Sequence, residues 1–123
     1  MPIEKATLTV IYVMLGMMAG DFVTGNLKHI LEGDWSSKLC KQGLIKKALY
    51  FFLVAAGFGL GILMGQIDTV VKGVCLCLCV VEVGSMIENL KECGLPIPKV
   101  ITEIIDKLKQ ENPVGEHEAA EEE

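Results

Sequence analysis

Residues 48–67 run for 20 positions without a formal charge. A helix rising about 1.5 Å per residue makes that run about 30 Å long, the thickness of the hydrocarbon layer of a bilayer. The pattern predicts an integral membrane protein. Two further apolar stretches flank the run, so three transmembrane helices are expected, over about residues 6–23, 47–65 and 69–90. The first competes with a cleaved signal peptide, against which stand the single preceding Lys5 and the acid Asp21 at the place of a small-residue cleavage site. The third is interrupted by Lys72 and Glu82, which leaves a re-entrant or interfacial helix as its alternative.

Hydrophobic residues make up 51% of the chain beside 22% charged ones, and the two figures agree only because the charges are segregated. Lysines and acids gather in the loop of residues 26–46 and in the C-terminal third, leaving the spans nearly bare. Part of the net charge of -5 comes from Glu116, Glu118, Glu121, Glu122 and Glu123, in a segment expected to be disordered. The chain has no arginine and no basic stripe interleaved with aromatics, which excludes a nucleic-acid partner from the expectations.

Cytoplasmic flanks collect lysine during insertion. Lys28, Lys38, Lys41, Lys46 and Lys47 lie between spans one and two, and Lys91, Lys99, Lys107 and Lys109 follow span three, whereas only Lys5 and Lys72 lie near the other side. The expected topology places the N-terminus outside and the C-terminus in the cytoplasm. Gly33, Asp34 and the pair Ser36, Ser37 signal a turn and a helix cap before span two. Beyond span three, Gly94 ends the helix and Pro96 and Pro98 fix an extended elbow. A short amphipathic helix is expected over about 98–110, with Val100, Ile101, Ile104, Ile105 and Leu108 at helical spacing. It lies on the inner membrane surface, on a partner helix, or against the chain's own first loop.

Four features carry candidate functions. Gly57, Gly61 and Gly65 recur every four residues on span two and Gly16 and Gly20 on span one, forming faces that let a second helix approach, within one subunit or between subunits. Glu82, Ser85 and Asn89 share a face of span three, where a carboxylate in hydrocarbon costs roughly 2.5–3.5 kcal/mol and needs a protein neighbour or water. That stripe is a candidate lining of a polar path or an assembly contact, the plainer reading being an acid paired with lysine or protonated inside the bundle. Asp21, at the C-terminal end of span one, opposes the helix dipole, so it calls for Lys28, Lys46 or Lys47, or for hydration at the interface. Cys75 and Cys79 share a helix face while Cys77 lies opposite, so the three do not converge on one metal ion, and five free thiols are expected. His29 and His117 stand alone. Neither a catalytic centre, a cofactor site nor a metal site is expected, and the soluble parts are too small for a catalytic domain.

From these residues the candidates are a self-assembling pore, a channel or transporter subunit, and a membrane scaffold docking partners through its C-terminal helix. The string from Asp21, Phe22, Val23, Thr24 to Gly25, with Ser36, Ser37 and then Gly43, Leu44, Ile45, Lys46, Lys47, resembles the bacteriophage holins of the lysis and toxin-secretion type. Glu82, Val83, Gly84, Ser85, Met86, Ile87, Glu88, Asn89, Leu90, followed by Gly94, Leu95, Pro96, Ile97, Pro98, Lys99, is similar to that family's C-terminal signature. The resemblance covers about residues 20–108. Many members carry asparagine where this chain has Val81, and the acidic tail is not a family hallmark.

The resemblance implies an all-α membrane domain over residues 1–110 and a tail over 111–123. It also implies a non-enzymatic protein of the bacterial inner membrane, in contact with lipid and with copies of itself, that permeabilises the membrane at a set time. Its functional partner is then an endolysin or an exported toxin, with an antiholin as a further partner or as an alternative role for the chain itself. In this expectation the glycine faces pack subunits together while Glu82, Ser85 and Asn89 are buried against neighbours until the pore opens.

Overall fold

A computed structural model describes residues 3–111. Residues 112–123, which include His117 and the glutamates of the tail, lie outside the described residues. The described chain is all-helical, with α1 over Lys5–Glu32, α2 over Ser37–Met64, α3 over Ile67–Glu92 and α4 over Lys99–Glu111. The first three are long and apolar enough to cross a membrane. At 28, 28 and 26 residues they measure about 42, 42 and 39 Å, longer than a hydrocarbon layer of about 30 Å, so their ends extend into the polar zone.

The expected loop of residues 26–46 shrinks to a turn at residues 33–36, because α1 continues through its polar end and α2 starts early. The polar residues that mark an apparent break turn back onto their own helix. The Thr24 hydroxyl donates to the Gly20 carbonyl at 2.8 Å, and the Asn26 amide donates to the Phe22 carbonyl at 2.7 Å. The Trp35 indole then donates to the Asn26 side-chain oxygen at 2.8 Å, tying the turn to α1. Of the two serines, Ser36 is the cap, its hydroxyl accepting from the Leu39 N–H at 3.2 Å.

Each long helix stops at a glycine with positive φ: Gly33 at 78°, Gly65 at 68° and Gly94 at 91°. In each case the glycine N–H and the next N–H fold back onto carbonyls of the last turn, as Gly94 does onto Lys91 and Leu95 onto Leu90. A side chain is disfavoured in this left-handed conformation, which is why glycine sits at all three stops. Gly65 is therefore a terminator, with nothing of its own subunit within 4 Å of its Cβ position.

The middle helix in space is α3, which packs along both α1 and α2, while α1 and α2 touch each other sparsely. The small core joins Met14 and Met18 of α1, Tyr50 and Val54 of α2, and Val71, Cys75 and Leu78 of α3. Large apolar side chains such as Tyr12, Phe52 and Leu63 point outward, the arrangement expected where the surrounding solvent is lipid. Three of the glycines serve packing inside this subunit. A Cβ on Gly57 meets Val74 at 3.2 Å, one on Gly20 meets the tip of Met86 at 2.8 Å, and one on Gly61 lies 2.6 Å from the backbone Cα of Ile67. Gly16 has nothing within 4 Å of its Cβ position.

After Gly94, Pro96 and Pro98 turn the chain, and α4 runs back along the last turns of α3. It buries Ile105 there, and Lys109 comes within 3.3 Å of the Cβ position of Gly84. Contact with α3 replaces the contact with the first loop that the sequence left open.

Because Gly61 faces backbone, which cannot swing aside, Gly61→Ala is expected to destabilise the bundle by about 1–3 kcal/mol through overpacking. Gly16→Ala is expected to leave stability unchanged or slightly raised. Thermal unfolding of both variants in detergent micelles, followed by circular dichroism, checks the contrast.

Candidate functional site

Asp21 stands about 24 Å along α1 and Glu82 about 22 Å along α3, so the two acids reach the same depth near one edge of the hydrocarbon layer. Lys47, about 26 Å before the end of α2, arrives at that depth from the antiparallel direction. The three spans thus bring two carboxylates and one ammonium together.

The Lys47 ammonium donates to the Asp21 carboxylate at 2.5 Å and to the Glu82 carboxylate. It also lies 5.6 Å from the centroid of the Tyr50 ring, within cation–π range. Glu82 is 1% exposed, Lys47 11% and Asp21 12%. Asn89 completes the network by donating to the Asp21 carboxylate and to the Thr24 hydroxyl, both at 3.1 Å. Gly25 leaves room for this amide, its Cβ position standing 3.5 Å from the Asn89 nitrogen. Three helices are joined by one group of hydrogen-bonded charges.

Ser85 lies beside the network and lines a polar hollow of about 180 Å³ with Asn89, Lys47, Lys46 and Lys28. The structure therefore brings Asp21, Glu82, Ser85 and Asn89 to one place. Glu82 and Asn89 are buried within the subunit, however, where the sequence reading buries them against neighbours. The reason is Lys47, whose long side chain reaches both acids from α2.

A second polar group closes the opposite end. The Asp68 carboxylate accepts from the Thr7 hydroxyl at 2.6 Å and from the Glu4 N–H at 2.9 Å, and Lys72 pairs with Glu4 at 3.3 Å. Thr7 is buried. Sequence reasoning passed over this clasp because its partners are 61 and 64 residues apart, although an acid in the first turn of a helix is a local hint that it meets donors.

His29 does not stand alone. Its Nδ1 lies 2.9 Å from the Asp34 carboxylate and 3.9 Å from that of Glu32. The potential ligand atoms of these three residues fall within 4.8 Å of one another, but the carboxylates are exposed and Asp34 already pairs with the ring, so the group reads as a cap on the end of α1. Cys75 is buried in the core and Cys79 packs against it, small apolar side chains in both cases.

A family model described as the bacteriophage holin family matches residues 5–110, which takes in all four helices but for the last residue of α4, and every residue of the buried network. The chain belongs to the bacteriophage holin family. Membership and the three long apolar helices make it a multi-pass membrane protein of holin type. Two uncharacterized proteins, one from Listeria monocytogenes and one from Listeria innocua, are each 27% identical to it over 93 residues, or 76% of this chain. The match spans 66% of the length of those relatives. No solved structure matches the chain.

Removing one partner from a buried ionic group leaves an uncompensated charge, at a cost of about 3–5 kcal/mol. Lys47→Met, which strands two carboxylates, is expected to lose that much stability. Glu82→Gln, whose amide oxygen still accepts from Lys47, is expected to lose clearly less. Unfolding of the two variants in micelles, or their protease resistance in membranes, measures the order; equal losses would contradict it.

Proposed function

We propose that this holin-family protein gathers into clusters in the bacterial inner membrane, with its N-terminus outside and its C-terminus in the cytoplasm, and opens the membrane at a set time. The opening releases an endolysin, which then lyses the cell, or an exported toxin. The observation that carries this reading is the buried network of Asp21, Lys47, Glu82 and Asn89 at lipid depth. A purely structural membrane bundle gains little from burying two acids and a lysine, since well-packed apolar residues serve as well or better. A pore-former gains polar groups that are satisfied by each other while it is closed and by water once the helices part.

In this mechanism α2 is the element that moves. Separation of α2 from α1 and α3 parts Lys47 from its acids and turns Glu82, Ser85 and Asn89 toward an aqueous path. The packing glycines Gly20, Gly57 and Gly61 hold the closed subunit together. Contacts between subunits then use surfaces that the fold leaves open, including that of Gly16. The charges make opening costly for one subunit alone, which favours a collective, delayed event over gradual leakage.

Inducible expression in a bacterium is expected to leave membrane potential intact during a delay and then collapse it abruptly, with culture clearing when a wall hydrolase is co-expressed. Asp21→Asn and Glu82→Gln, which weaken the closed network, are expected to shorten that delay. A potential-sensitive dye and culture turbidity report both. Continued polarisation despite confirmed membrane insertion would overturn the reading.

A further inference from the structure

The hollow of about 180 Å³ beside the ionic network is walled by all three long helices, with Asp21 and Lys28 on α1, Lys46 and Lys47 on α2, and Ser85 and Asn89 on α3. Because α1 and α2 touch each other sparsely, it occupies part of the gap they leave. Its wall carries three ammonium groups and one carboxylate. That carboxylate, Asp21, is already engaged, accepting from Lys47 at 2.5 Å and from Asn89 at 3.1 Å. The unmatched groups are donors. Among the described residues, the exposed Lys46 ammonium has no ion-pair or hydrogen-bond partner, and the Ser85 hydroxyl has no hydrogen-bond partner. Lys28 does pair with Glu92 at 2.9 Å, but Glu92 is not part of the wall and is 54% exposed, and an exposed pair of this kind is worth little. Lys28 can therefore exchange Glu92 for a ligand at small cost.

A cation is opposed by three ammonium groups, and a neutral ligand leaves Lys46 unmatched, so the donor set calls for an anion with several acceptor oxygens. The height of the hollow says which anion. Measured along the helices from the Glu4–Asp68 clasp, the wall extends from about 24 Å at Asp21 and about 27 Å at Ser85 to about 33 Å at Asn89 and about 35 Å at Lys28. It straddles the edge of a hydrocarbon layer of about 30 Å, where the headgroups of membrane lipids begin. At the same height the outer flanks of the bundle are apolar, with Val23 and Leu44 exposed, so acyl chains have a surface to lie against.

We propose that this hollow binds the anionic phosphate ester of a membrane lipid, with Lys46, Lys28 and the Ser85 hydroxyl as its donors. Basic pockets between transmembrane helices at the headgroup level are a recurrent means of holding such groups. Each of the three donors comes from a different helix, so a bound phosphate braces α2 against α1 and α3 at the end where α1 and α2 have little contact of their own. A ligand that binds the assembled bundle and not the separated helices stabilises it. The site goes beyond the permeabilising activity proposed above and does not depend on it, since binding is read on the closed bundle.

Native mass spectrometry of the full chain, released from neutral detergent micelles, tests the site with three probes: phosphatidylglycerol, a diacylglycerol with the same tails, and glycerol phosphate. Phosphatidylglycerol is expected to stay bound and to raise the unfolding temperature in micelles, whereas the diacylglycerol, which lacks phosphate, does neither. A hydrogen bond between charged partners is strong enough that Lys46→Gln is expected to weaken phosphatidylglycerol binding about tenfold, with a smaller loss for Ser85→Ala. Lys41→Gln, at an exposed lysine of the same helix outside the wall, is expected to leave binding unchanged. Glycerol phosphate that binds as tightly as the lipid, and is weakened by Lys46→Gln, would make a soluble phosphate ester the ligand of the same site; no binding by glycerol phosphate assigns the site to the lipid. Equal retention of phosphatidylglycerol and diacylglycerol would place the contact on the tails and overturn the proposal. Equal losses from Lys41→Gln and Lys46→Gln would overturn it too, by reducing the effect to diffuse surface charge.

Discussion

Lys47 binds Asp21 of α1 and Glu82 of α3 from its place on α2, so one ammonium ties together all three long helices. In water such a tie would be weak, because each charge could be solvated separately. At lipid depth the alternative to pairing is a bare charge, costing roughly 2.5–3.5 kcal/mol per residue even on the mildest scales. The pairing, together with packing on α3, fixes the height at which the three helices meet and the sides they turn to one another. Much else follows, including the polar hollow at Ser85 and the position of Asn89 between Asp21 and Thr24.

Packing alone would hold this bundle loosely. The apolar core comprises seven buried side chains, and large hydrophobic residues cover the outside. Without a hydrophobic driving force inside lipid, close backbone approach and hydrogen bonds carry the association of helices. Gly57 and Gly61 supply the approach of α2 to α3, the Thr7–Asp68 clasp fixes one end, and the ionic network fixes the other. A bundle held mainly at its two ends by polar contacts can open at one of them without unfolding, which is what a timed permeabilising event requires.

The parts of this fold that obey local rules were legible in the sequence. The uncharged run, the Ser36 cap, the elbow of Gly94, Pro96 and Pro98, and the helical spacing of Ile101, Ile104 and Ile105 each carry their cause within a few residues. The extension of α1 to Glu32 was not legible, because Thr24 and Asn26 look like breakers until their side chains are seen to bond within their own helix. The requirement of Asp21 for a cation was readable, but the choice among Lys28, Lys46 and Lys47 depends on the phase of α2 relative to α1. That phase is decided by packing on α3. The same packing divided the glycines, sending Gly57 and Gly61 inward, leaving Gly16 open, and using Gly65 to end a helix. His29 gained its partner only when the turn after Gly33 brought Asp34 back onto the end of α1.

A double-mutant cycle on Lys47 and Glu82 tests the ionic tie directly. Unfolding free energies in micelles are compared for Lys47→Met, Glu82→Leu and the two combined. Residues sharing one network couple by about 0.5–3 kcal/mol, and here the combined variant should be less damaged than the sum of the singles by more than about 1 kcal/mol. Losses that add to within about 0.5 kcal/mol, the behaviour of independent sites, would mean that Lys47 does not hold these helices together.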